Sequence, residues 1–105
     1  MSRTAVGLRA TGRTSVPTYL VERYWPGVTN ELLAEALNRG QQLMRQMRSE
    51  GTPVHHVTTI LIPAEEVVFS LYEAPSTAAV LQLNERAAIP VSRIVVAIPV
   101  TGLPR

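Results

Sequence analysis

The apolar and polar positions of the chain fall into six successive periodic segments. Thr18 to Tyr24 reads as a β-strand, closed by the turn Pro26-Gly27. Leu33, Leu37, Gly40, Met44 and Met47 then step by four, three, four and three, the single apolar stripe of an amphipathic helix. Thr29 or Asn30 can cap its start, with Glu31 in the first turn where the helix dipole favours an acid. Gly51 supplies a C-cap and Pro53 stops continuation. Gly40 inside the stripe costs helix propensity, so a close backbone approach is expected there. Glu35 and Arg39 are spaced for an i,i+4 pair on the wet side.

The second half echoes the first. Val54 to Ile62 is rich in β-branched residues, Pro63-Ala64-Glu65-Glu66 forms a turn, and Val67 to Tyr72 returns as a strand, giving a hairpin. Pro75-Ser76 opens a second helix with Ser76 as N-cap and Val80, Leu83 and Ala87 buried, and Pro90 ends it. In the last strand, Arg93 to Val100, Ile94, Val96 and Ile98 alternate with Val95 and Ala97, so both of its faces are expected to be covered.

The runs Tyr19-Leu20-Val21-Glu22-Arg23-Tyr24-Trp25-Pro26-Gly27 and Phe69-Ser70-Leu71-Tyr72-Glu73-Ala74-Pro75-Ser76 match as strand-to-helix corners. Each begins on an aromatic, carries a Glu near its end and stops at Pro beside a small residue. The order strand, helix, strand, strand, helix, strand predicts an α+β ferredoxin-like βαββαβ fold, a four-stranded antiparallel sheet with both helices on one face. The other face would lie open, lined by Leu20, Glu22 and Tyr24 or by Ser70 and Tyr72, and an open apolar face predicts a homodimer packed sheet to sheet.

A chain of 105 residues fits one domain with a modest core. The boundaries expected are a flexible basic arm over Met1 to Val16, with a short targeting peptide as the alternative, and a single domain over 17–105. No apolar run is long enough for a membrane span, so a soluble, cytoplasmic protein without membrane contact is expected. Three Arg lie in the arm, leaving seven Arg against eight Glu elsewhere. The basic pI of about 9.7 therefore comes from the arm, and a nucleic-acid face is rejected.

The sequence has no Cys, Lys or Asp. This excludes iron–sulfur clusters, thiolate zinc sites, Schiff-base chemistry and the P-loop Lys. Any chemistry rests on Glu, two His, Arg, Tyr and hydroxyls, and no reaction is named by them. His55 and His56 are adjacent on a strand, so they point to opposite faces and cannot chelate one ion together. One of them could meet Glu22 on the open face, or its mate across a dimer axis, and imidazole with carboxylate suits nickel or another divalent transition metal. The plain alternative makes both ordinary strand residues, and makes Glu22 and Glu73 partners of Arg23, Arg93 or another Arg. Ser70, Tyr72 and Trp25 are candidates for a ligand pocket. Ser70 and Tyr72 could equally satisfy one another's hydrogen bonds, and Trp25 could be an apolar plug at the first corner.

The first corner, together with Phe69-Ser70-Leu71-Tyr72-Glu73-Ala74-Pro75 and Asn84-Glu85-Arg86-Ala87-Ala88-Ile89-Pro90, resembles the small nickel-binding, ferredoxin-like bacterial proteins long described as a domain of unknown function. The resemblance runs from about Thr18 to Val100. It implies a dimeric ferredoxin-like fold and a divalent metal as ligand. Where Ser70 stands the family often has Cys. Three functional classes follow: a metal-binding homodimer, a cofactor-free enzyme or apolar-ligand carrier of the dimeric α+β barrel type, and a non-catalytic interaction domain.

Overall fold

The computed structural model describes residues 16–100, so the expected arm, apart from Val16, lies outside the described residues. Its elements follow the expected order: β1 (Thr18–Tyr24), α1 (Asn30–Ser49), β2 (His55–Ile62), β3 (Val67–Glu73), α2 (Thr77–Arg86) and β4 (Arg93–Ala97), with a 3₁₀ turn Pro63–Glu65 between β2 and β3. The last strand is shorter than the expected Arg93 to Val100. All pairings are antiparallel and the spatial order is β2-β3-β1-β4. This is the ferredoxin-like α+β architecture.

Local chemistry sets the helix ends. The Thr29 hydroxyl accepts from the Leu32 N–H at 3.1 Å, and the Ser76 hydroxyl from the Ala79 N–H at 3.1 Å. Gly51, at φ +93°, takes the left-handed position just past α1 that an L side chain resists. Glu66 closes the hairpin in the same region, at φ 56°. Its carbonyl accepts from the Trp25 N–H at 2.8 Å and its carboxylate from the Gly27 N–H at 2.9 Å. The first corner is thereby tied to the hairpin tip.

Tyr19, Val21 and Tyr72 from the central strands pack with Met44 and Met47 of α1 and Val80 and Leu83 of α2 in one core, which places both helices on the same sheet face. A second cluster gathers Ala36, Ala87 and Ile89, with Trp25 and Leu43 against it. Trp25 is the plug of the first corner.

Three expectations for α1 are corrected. The α1 stripe runs through Ala36, which is buried, and leaves Leu37 half-buried, because the buried face is centred one position earlier. Gly40 meets no backbone: a Cβ there would lie 3.6 Å from the Ile89 side chain, an ordinary van der Waals distance. Arg39 forms no ion pair with Glu35. It donates instead to the carbonyls of Ala87 at 2.8 Å and Ala88 at 3.3 Å, capping the otherwise unsatisfied end of α2. Ala88 itself is at φ 57°.

β4 is an edge strand paired with β1 alone, which is why Val96 remains 68% exposed where cover was expected.

Candidate functional site

The ladder registers sort the candidate residues by face. Arg23 and Tyr19 lie on the helix-covered side of β1, as do Ser70 and Tyr72 of β3, which pair with Val21 and Tyr19. Ser70 and Tyr72 therefore do not line the open face; they are buried beneath the helices. That open face is apolar at its centre, where Leu20 lies opposite Leu71, with Phe69, Ile60 and Val95 around them. Glu22 is also on it, and its carboxylate accepts from Arg93 at 2.6 Å. That pair is the bland reading expected for Glu22, and it holds the exposed Arg93 guanidinium above its ordinary pKa through the hydrogen bond and the charge of Glu22.

The two histidines part as their adjacency requires. His56 pairs with Tyr72 on the helix side, and His55 with Glu73 on the other. A β-bulge between His56 and Thr58 adds one residue, Val57, and brings Thr59 onto the same side as His56. The His56 Nε2 shares a hydrogen bond with Thr59 Oγ1 at 2.6 Å, and Thr59 Oγ1 shares one with Ser70 Oγ at 2.8 Å. The His56 and Tyr72 rings pack at 5.4 Å between centroids, tilted by 47°. Burial pushes the His56 imidazole below the usual histidine range; a hydrogen bond with the Thr58 backbone opposes this, and the charges of Arg23 and His55 add to it.

Beneath this chain sits a residue whose role sequence reasoning missed. Arg23 has no exposed surface, and among the described residues its guanidinium has no carboxylate partner. It donates to Asn84 Oδ1 at 2.7 Å, to the Pro90 carbonyl at 2.8 Å and to the Tyr72 hydroxyl at 3.0 Å, while its Nε has no partner. Burial lowers its pKa from the ordinary arginine value, and Tyr72 opposes the shift. Asn84 is held in turn by donating to the Val80 carbonyl at 2.8 Å. A charge within a strand that otherwise alternates gave a signal only through Tyr72 and Asn84, which no local pattern connects to it.

Glu22 and His55 are not brought together within one chain. Glu22 is four residues along β1 from Thr18, the level of Glu73 and His55, and β3 stands between them. That places them roughly 13 Å apart along the strands and about 10 Å across. The carboxylate that does face His55 is Glu73, directly opposite in the ladder, where Cβ atoms lie about 5 Å apart. Both residues line a groove of about 380 Å³ at the rim of the sheet, together with Val16, Pro17, Arg48, Pro53, Val54 and Pro75. Ser70, Tyr72 and Trp25 do not line it. Among the described residues no group of three or more His and Glu side chains converges as a metal site, and the ion pairs involve neither His55, Glu73 nor Arg48.

A family model described as "Nickel responsive protein SCO4226-like" matches residues 19–96, which covers both helices and all four strands but for the end residues Thr18 and Ala97. The chain belongs to this family. Among solved structures, the crystal structure of SCO4226 from Streptomyces coelicolor A3(2) superposes with a TM-score of 0.67 at 23% identity, covering 81% of this chain and 99% of that one. At that identity the likeness concerns the fold. No curated protein matches the chain. The description of the family points to nickel, and in this chain His55 and Glu73 set an imidazole opposite a carboxylate across one ladder. Among the described residues no helix is long and apolar enough to cross a membrane.

Proposed function

We propose that the protein is a small cytoplasmic homodimer that binds a nickel-type divalent ion as its cargo, with His55 and Glu73 as the donors of each chain. The observation that carries this reading is their direct opposition across the β2–β3 ladder, in a member of a nickel-responsive family. An imidazole nitrogen and a carboxylate oxygen are suitable donors for nickel, and no thiolate exists to compete. Glu22 Oε2 already accepts from Arg93 and His56 Nε2 already shares a hydrogen bond with Thr59, so they are the weaker candidates. The apolar face around Leu20 and Leu71 supports association of two copies sheet to sheet.

Calorimetric titration of nickel into tag-free protein tests the assignment. His55→Ala and Glu73→Gln each weaken binding, while His56→Ala leaves it unchanged. A double change of His55 and His56 to Ala with unaltered nickel affinity would refute the reading.

A further inference from the structure

The groove beside His55 is far larger than a metal ion needs. At about 380 Å³ it falls within the range of small-molecule sites, whereas a single water occupies only about 30 Å³ of liquid. Three proline rings and two valines form its walls, and its polar groups are His55, Glu73 and Arg48. The two donors proposed above leave at least half of a nickel ion's coordination sphere open. Arg48, exposed in the last turn of α1, brings a positive charge to the same groove. A bare divalent cation gains nothing from that charge and is repelled by it. A carboxylate is bound by it, through the planar fork of guanidinium donors.

We propose that the groove takes the metal as a complex with a small polycarboxylate chelator, whose free carboxylate pairs with Arg48 while His55 and Glu73 complete the metal's coordination. This rests on the assignment of His55 and Glu73 as metal donors. The proline and valine walls exclude water around the chelator's carbon skeleton, and Arg48 distinguishes a chelated ion from an aquo ion. The ligand chemistry is thus an anionic organic complex of a divalent transition metal.

The test compares nickel citrate, nickel chloride in a non-coordinating buffer, and metal-free citrate by equilibrium dialysis of the full chain, with nickel counted by elemental analysis. Wild-type protein is expected to bind nickel citrate roughly tenfold or more tightly than the aquo ion, the scale of a charge-assisted hydrogen bond. Metal-free citrate binds weakly. Arg48→Gln, a surface change that leaves the melting curve in place, removes the preference while aquo-nickel binding persists or improves. Arg48→Lys restores part of it. Aquo nickel bound as tightly as the citrate complex by wild type, or a preference that survives Arg48→Gln, overturns the chelate proposal and leaves the metal donors standing. Failure of both nickel forms to bind overturns the metal assignment and this proposal together.

Discussion

The Arg23 guanidinium donates to the Asn84 side-chain carbonyl at 2.7 Å, and neither residue has any exposed surface. A charge taken out of water without a carboxylate is tolerated only where dipoles replace its hydration, and here an amide, a backbone carbonyl and a phenol do so. The contact joins a central strand to the second helix across the whole core.

Removing one partner is therefore expected to cost far more than an ordinary surface change. Asn84→Ala should destabilise the protein by about 3 kcal/mol, the scale for stripping a partner from a buried charge. The combination Arg23→Met with Asn84→Leu, which removes charge and amide together, should cost less than the sum of the two single changes. Urea denaturation of wild type, Arg23→Met, Asn84→Leu and the double variant decides this. Additive losses would mean that the pair is energetically independent.

His56 gives a pH dependence of definite sign. In the unfolded chain its imidazole titrates near 6.5, and in the folded protein burial places it lower. Above the unfolded value both states are neutral and the residue is silent. As pH falls through about 6.5 the unfolded state takes up the proton first, so stability declines until the folded value is passed. His56→Gln should flatten that part of the melting temperature against pH, and an identical slope in the variant would assign the decline to other groups.

Gly40→Ala should raise stability by about 0.8 kcal/mol. The added methyl gains helix propensity and reaches the Ile89 side chain at an ordinary 3.6 Å. A lowered melting temperature would show that α1 and the Ile89 region cannot accommodate it.

Leu71→Glu should split the proposed dimer. Leu71 lies opposite Leu20 at the centre of the open sheet face, so a carboxylate there meets the apolar surface of a second copy. Light scattering should give half the wild-type mass with the melting curve largely retained. An unchanged mass would place the association elsewhere on the surface.

The strands, caps and layer order were legible because each rests on neighbours in sequence. Thr29 and Ser76 bind N–H groups three residues on, and Gly51 needs only its own φ. What depends on distant partners was not. Arg23 and Asn84 are separated by 61 positions, and arginine within a strand ordinarily suggests surface. Glu73 as the neighbour of His55 follows from a register that includes the bulge at Val57, which β-propensity does not reveal. Helical spacing alone pairs Arg39 with Glu35, because the end of α2, which it caps, is remote in sequence. The opposite facing of the histidines was legible from period two alone, and their different partners were not.

The strand order β2-β3-β1-β4 has a consequence for how the chain can be divided. β1, from the first βαβ unit, lies between β3 and β4 of the second, so neither unit closes its own sheet. A cut at the hairpin tip, between Ile62 and Val67, would yield two fragments, each lacking a strand the other supplies. Such fragments suit split-reporter complementation: each alone would stay open, and mixing them would restore the interleaved sheet and the Arg23–Asn84 contact at once.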